Sequence, residues 1–178
     1  MRKKAIAFYL LPFTLPAAFC FLLFALSLSS CKMNPDMQTP GQAYLQGIWQ
    51  QDSVPAQKKL ITYSLYHLRF SCDSFFMSIN SFSKVNYGAD TCMSRGHWVE
   101  YTRGHYVQRN DTLFLKGQFA NADYTVRNDP GCFRIGDYKE FFKITKKTDS
   151  LIQLSSTSGV IPITARLIKR VTCQVKPL

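Results

Sequence analysis

Three turns of one form recur in this chain and restrict its fold more than any other feature. Asp73-Ser74, Asp111-Thr112 and Asp149-Ser150 each join an Asp to a hydroxyl residue, and the Asp residues are spaced 38 positions apart. These side chains bond the nearby backbone and so favour tight turns. Short runs rich in aromatic and β-branched residues flank the turns, with almost no helical periodicity. The pattern predicts three β-hairpins in an all-β domain.

Eight strands are expected, because the three hairpins have one further strand before them and one after. The predicted strands are 46–51, 60–71, 75–82, 98–108, 112–119, 138–146, 150–156 and 160–172. An up-and-down order puts the three tight tips at one end and the longer loops at the other. Those loops are 52–59, 83–97, 120–137 and 157–159. We expect a closed antiparallel barrel, which has no exposed sheet edge, with a β-sandwich as the alternative.

The N-terminal residues have the zones of a bacterial export signal, which forms a signal helix. Basic residues at positions 2–4 precede the uncharged apolar stretch 5–28. Leu28-Ser29-Ser30-Cys31 resembles the bacterial lipobox, and the resemblance implies cleavage before Cys31 and lipid on its thiol. The alternative is an uncleaved membrane helix, since the stretch is long enough to span a bilayer. Pro12 and Pro16 interrupt that helix.

The predicted organisation is a signal peptide (1–30), a tether (31–43) and one β-barrel domain (44–178). Residues 32–41 read KMNPDMQTPG, a polar and proline-bearing sequence typical of a flexible linker. Lys32 stands where lipoproteins retained in the inner membrane carry an acidic residue. The sequence therefore favours a lipid-anchored protein of the cell envelope, at the outer membrane.

The cysteines divide into two that belong to the leader and its cleavage site and four that remain. The lipobox resemblance implies that Cys20 leaves with the leader and that Cys31 carries lipid. The remaining four are Cys72, Cys92, Cys132 and Cys173. In an oxidising compartment we expect two disulfides, with three connectivities available and four free thiols as the alternative.

The strand order favours one of these connectivities. Cys72 and Cys173 fall at the tip end of the meander, whereas Cys92 and Cys132 lie in the long loops opposite. The favoured pairs are therefore Cys72–Cys173 and Cys92–Cys132. No two of these cysteines are near neighbours in sequence, as a zinc site would require.

The charge of the mature chain limits its partners. The leader contains 3 of the 22 basic residues and none of the 11 acidic ones, so the mature chain carries a net charge of +8. Outside the cytoplasm we expect no nucleic-acid partner. Anionic headgroups or acidic polymers are the natural partners of such a charge. The basic residues are scattered along the sequence, which also fits an ordinary solvated surface.

Several short motifs resemble those of lipocalins. Gly47-Ile48-Trp49 matches the G-x-W at the start of the first lipocalin strand, and Thr148-Asp149-Ser150 falls where lipocalins carry T-D-Y. The resemblance implies that Trp49 plugs the closed end of the barrel, with Arg166 or Arg170 packed over it. The chain departs from the family at Ser150, and we expect no helix after the barrel such as the family has. It is similar to a small lipocalin-like lipoprotein rather than to a full lipocalin.

Sequence motifs for catalysis are absent. His67, His97 and His105 have no metal-binding spacing, and we predict no metal, no cofactor and no enzymatic activity. The chain lacks G-x-S-x-G, HExxH and glycine-rich phosphate loops, and the G-S-S-x-M-P-x-K loop of fumarases. Glu100 and Glu140 are candidates for a carboxylate pair inside the barrel.

Aromatic residues on the inward faces give the remaining functional hint. The candidates for a ligand lining are Tyr66, Trp98, Tyr106, Phe119 and Phe142. An eight-stranded barrel is either filled by such side chains or holds one small ligand. We therefore expect a monomeric, membrane-tethered protein that binds a small apolar or amphipathic ligand in a mouth facing away from the membrane. The alternative is a module with a solid core that binds an envelope protein or polymer through loops 83–97 and 120–137.

Overall fold

The computed structural model describes residues 38–85, 91–129 and 131–175, apart from the side chains of residues 91, 92 and 94. The predicted signal peptide (1–30) with its helix, the lipidated Cys31 and the tether as far as residue 37 lie outside the described residues. In the described ranges, no helix has the length and apolar character needed to cross a membrane.

Eight antiparallel strands form one closed barrel in sequence order. The strands are β1 (Gly47–Gln50), β2 (Thr62–Ser71), β3 (Ser74–Ser83), β4 (His97–Arg109), β5 (Thr112–Ala120), β6 (Asp137–Lys147), β7 (Leu151–Ser156) and β8 (Ile163–Arg170). The ring closes because β1 pairs with both β2 and β8. The predicted all-β up-and-down barrel is confirmed. The β-sandwich alternative is wrong, because the strands form one continuous ring rather than two facing sheets.

Strand bounds lie within two residues of the predicted ones, except at the start of β8. That strand begins at Ile163 rather than at residue 160. Pro162 directly precedes it and has no backbone N–H to donate to a neighbouring strand. The side chain of Val160 is 99% exposed, so this residue belongs to the β7–β8 loop.

Alternate residues of the strands point inward and form one apolar core. Its largest side chains, each less than 2% exposed, are Trp49, Phe70, Phe75, Phe142, Leu45, Leu68, Met77, Leu113, Leu115, Ile152, Leu154 and Ile163. Full burial of each contributes roughly 1.5–3 kcal/mol to folding. Most of these residues lie in the half of their strand nearest the three tight turns, so that half of the interior is filled by side chains.

The segment before β1 covers this closed end of the barrel. Leu45 is fully buried, and the amide of Gln46 exchanges two hydrogen bonds with the backbone of Cys72, at 2.8 and 2.7 Å. Thr39 donates its backbone N–H to Asp73 at the first hairpin tip. The packed unit accordingly begins at Gln38, six residues before the predicted domain boundary at residue 44.

A disulfide joins Cys72 to Cys173, and this predicted pairing is confirmed. It links the first hairpin tip to the segment after β8, with 4.8 Å between the Cα atoms. The closed loop spans 101 residues, for which the loss of unfolded-state entropy contributes about 4–5 kcal/mol. Cys132 is disulfide-bonded as well. The side chain of Cys92 lies outside the described part of the chain, so Cys92–Cys132 stays a prediction.

Candidate ligand site in the barrel mouth

Residues that carry the lipocalin resemblance meet at the closed end. The Trp49 indole is fully buried and donates Nε1–H to the Leu45 carbonyl at 2.7 Å. The Arg170 guanidinium lies over the Trp49 ring, 5.6 Å from its centroid, and donates to the carbonyls of Tyr44 and Asp149. The Asp149 main chain and the two side chains thus form one contact network beneath the core.

Gly47 and Arg166 are the other two residues named by the lipocalin resemblance. A Cβ on Gly47 would lie 2.6 Å from the Lys169 carbonyl oxygen, so the close approach of β1 to β8 requires glycine there. Arg166 forms an ion pair with Asp52 instead of packing on Trp49. Of the two arginines that the sequence offered, Arg170 is the one over the tryptophan.

The prediction that Tyr106 lines the ligand site is wrong. It lies eight residues along β4 from Trp98, at the closed end of the strand. Its hydroxyl donates to the Cys72 carbonyl at 2.8 Å and accepts the backbone N–H of Gln42 at 3.0 Å. The residue fixes the segment before β1 to the barrel. Its pKa is raised mainly by burial, so the hydroxyl remains a donor in neutral solution.

Phe142 is part of the filled core, whereas the other candidates lie nearer the open end. Phe142 is 1% exposed and pairs with Leu113 across the β5–β6 ladder. Tyr66 and Trp98 are partly buried on the inward faces of β2 and β4, and Phe119 is buried near the end of β5. These three residues surround the barrel mouth.

An arginine from the β5–β6 loop closes over this mouth. Arg134 donates to both carboxylate oxygens of Glu100, at 2.9 and 2.7 Å. The carboxylate is buried, while the guanidinium is largely exposed and lies 4.7 Å from the centroid of the Phe119 ring. The hydrogen bond to Glu100 is the main reason why the pKa of Arg134 is raised. A paired cation thus lies across the mouth on an aromatic ring.

Two tyrosines and the carboxylate of Glu140 lie on the inward faces of the strands near Arg134. Tyr138 packs edge-on against Phe119, with 5.6 Å between ring centroids. Burial and then the Glu140 carboxylate raise the pKa of both Tyr66 and Tyr138, so both phenols stay neutral donors in neutral solution. Glu140 accepts hydrogen bonds from Ser156 at 2.9 Å and Ser158 at 2.7 Å. Glu100 and Glu140, proposed as a pair, therefore have separate partners.

Two buried oxygens in this interior make no hydrogen bond to any described residue. They are Oε1 of Gln51, which is 3% exposed, and Oγ1 of Thr102, which is fully buried. Gln51 donates its backbone N–H to Tyr66, and Thr102 pairs with Phe119 across the β4–β5 ladder. Each oxygen thus belongs to a residue beside a candidate lining residue. Buried polar atoms almost always have a partner, so two such atoms without one among the described residues call for an explanation.

Sequence reasoning missed Arg134, Tyr138, Gln51 and Thr102. Strand alternation points to Tyr138, since it shares the parity of Phe142 on β6, and to Thr102, which shares that of Trp98 on β4. Arg134 gave no such signal, because it lies in a loop whose course depends on tertiary contacts. Within the described residues, no three His, Cys, Asp or Glu side chains are grouped as a metal site would require.

Comparison of the chain with models of known protein families, with curated proteins and with solved structures gave no match. The lipocalin resemblance accordingly rests on its motifs and stays a prediction.

Proposed function

We propose that this protein is a membrane-tethered, lipocalin-like lipoprotein that binds a small amphipathic ligand in the barrel mouth. The observation that carries the proposal is that the buried oxygens of Gln51 and Thr102, beside aromatic lining residues, make no hydrogen bond to any described residue. Leaving a buried polar atom without a partner costs about 1–3 kcal/mol. A polar group of a ligand in the mouth would supply the missing hydrogen bonds.

The composition of the mouth defines the class of ligand. Tyr66 and Trp98 offer apolar ring surface, whereas Arg134, which covers the Phe119 ring, and the phenol of Tyr138 offer hydrogen-bond donors. This combination favours an amphipathic molecule over a purely apolar one. An acidic head group would compete with Glu100 for the Arg134 guanidinium at the rim.

The lipid anchor proposed on Cys31 would define the direction of the site. The described chain starts at Gln38, against the closed end of the barrel, where Thr39 is bonded to Asp73. Gln38 is seven positions after Cys31, a reach of at most about 25 Å. An outer-membrane anchor would then hold the closed end towards the bilayer and leave the mouth open to the surroundings.

An interaction module is the second candidate, and the fixed course of the β5–β6 loop favours it. Asp123 accepts two hydrogen bonds from Thr125, and Arg103 donates to the Tyr124 carbonyl at 2.8 Å. A loop held in this way can present a constant surface to an envelope protein.

The test uses an amphipathic carboxylate probe, 11-(dansylamino)undecanoate, with the protein beginning at Gln38. We expect saturable binding that Thr102→Val weakens at least fivefold while raising the unfolding free energy by up to about 1 kcal/mol, since valine removes an unpartnered buried hydroxyl. A merely structural threonine would not change binding and stability in opposite directions. Arg134→Gln should also weaken binding, and Lys146→Gln, an exposed cation outside the mouth, should leave it unchanged.

Native mass spectrometry of full-length protein purified from its cells provides the complementary measurement. We expect a small-molecule adduct that organic extraction removes. Absence of both an adduct and probe binding would overturn the ligand-binding proposal and leave the interaction module.

A further inference from the structure

The register of the barrel collects cations that are scattered along the sequence. One outward row crosses seven strands, because each of its members pairs with the next: Lys169, Ile48, Arg69, Phe76, Arg103, Gln118 and Asp137. Adjacent strands are about 4.8 Å apart, so the row is roughly 29 Å long. Residues more than 100 positions apart in the chain thus become neighbours on one face.

A second row lies beside the first and is also basic. His105 of β4 pairs with Lys116 of β5, and Lys116 pairs with Lys139 of β6. Arg69, Arg103, Lys116 and Lys169 are exposed, and none of the four forms an ion pair with a described residue.

The surface between these side chains is concave. One groove of about 600 Å³ lies over β3 to β6, and another of about 400 Å³ extends from β8 and β1 to β3. Both are lined by Ser74 and Phe76, so the two grooves adjoin each other on this side of the barrel. Gly104 and Gly117 pair across β4 and β5 and line the larger groove with backbone only.

We propose that these two adjoining grooves, together called the basic groove and defined by Arg69, Phe76, Arg103, Lys116 and Lys169, bind an acidic polysaccharide. The cations follow a line about 29 Å long around the barrel, which matches a linear chain of negative charges. A flat bilayer would meet a convex surface better than a groove lined with charge. The proposal is independent of the mouth site, which is built from inward-facing residues.

The aromatic contacts argue against single-stranded nucleic acid in this groove. Such binding relies on bases stacking on open aromatic rings. The Phe76 ring carries the Arg69 guanidinium 4.1 Å from its centroid, and the Tyr124 ring packs edge-on against it at 5.3 Å. The Phe76 ring is therefore not open for a base to stack on, and the groove presents mainly charged side chains to a polymer.

The test compares two triple variants of equal charge in binding to dextran sulfate. Arg69→Gln/Arg103→Gln/Lys116→Gln removes groove cations, and Lys58→Gln/Lys59→Gln/Lys146→Gln removes exposed cations outside the groove. At low salt we expect the first to weaken binding at least tenfold and the second less than threefold. Counterion release should lower the log–log salt slope by about 2 for the three lost contacts. Circular dichroism spectra and thermal melts establish that both variants are folded.

Equal losses in the two variants would overturn the proposal, because binding would then depend on net charge alone. Uncharged dextran should not bind. Tighter binding to oligo(dT) or to phosphatidylglycerol vesicles than to dextran sulfate would overturn it in favour of a nucleic acid or a lipid surface.

Discussion

At the scale of single residues, His67 shows how the fold sets a protonation state. It is half-buried on the outer side of β2, two residues from Arg69, and pairs with Gln50 and Ser78 on the neighbouring strands. Burial first, and the Arg69 charge second, lower its pKa below 6.5. The folded state therefore favours the neutral ring more than the unfolded state does.

The stability contributed by neutral His67 should be present above the unfolded-state pKa of 6.5 and be lost as pH falls through the lower folded-state value. We expect urea denaturation at pH 7 and pH 5 to show a smaller loss of stability for His67→Gln than for the wild type. Nuclear magnetic resonance titration of the His67 ring should give a pKa below 6.5. Arg69→Gln should raise it only in part, because burial is the larger cause; a wild-type value above 6.5 would contradict this account.

At the scale of elements, Gly104 and Gly117 set the distance between β4 and β5. They oppose each other in the ladder. A Cβ on Gly104 would lie 2.2 Å from the Lys116 carbonyl oxygen, and one on Gly117 would lie 1.9 Å from that of Arg103. Only residues without a side chain allow this approach.

Gly104→Ala and Gly117→Ala should each destabilise the protein by about 1–3 kcal/mol, since the backbone of the opposite strand must move to accept the methyl group. Chemical denaturation measures the change. Gly159→Ala is the matched control, because its Cβ would meet no atom closer than 3.8 Å. Equal effects at all three positions would show that the close approach of β4 and β5 has no special cost.

At the scale of the whole molecule, the segment before β1 is part of the folded unit. Leu45 is fully buried, and Gln46 and Tyr106 bond it to the first hairpin tip. The Arg170 guanidinium, at the end of β8, donates a hydrogen bond to the Tyr44 carbonyl. The first and last strands are thus joined both by their own ladder and through this segment.

A protein beginning at Gln38 should fold as a monomer with one cooperative transition, whereas one beginning at Gly47 should lose at least about 3 kcal/mol. The loss combines the burial of Leu45 with the hydrogen bonds of Gln46. Urea denaturation followed by circular dichroism compares the two proteins. Equal midpoints would mean that residues 38–46 contribute nothing to stability.

Much of the fold was predictable from the sequence because its signals are local. Alternation located all eight strands, and the Asp turns located the three tips. The predicted β8 begins three residues too early, because the apolar residues Val160 and Ile161 precede Pro162. Alternation alone does not show that a proline ends the strand there. The candidate site was less predictable: Tyr66, Trp98 and Phe119 lie at the mouth, but Tyr106 lies at the opposite end of β4. Alternation predicts whether a side chain points into or out of the barrel. Only the pairing register between strands shows how far along the barrel axis that side chain lies.

The sequence by itself predicted the strand order and the ends at which the loops lie, and it favoured the Cys72–Cys173 disulfide, since each follows from local pattern and connectivity. Tertiary structure alone decided that Arg134 covers Glu100 at the mouth, that Arg170 rather than Arg166 covers Trp49, and that scattered cations line adjoining grooves. The physical reason is that cross-strand register and loop course arise from contacts between residues far apart in the chain, which no local pattern contains.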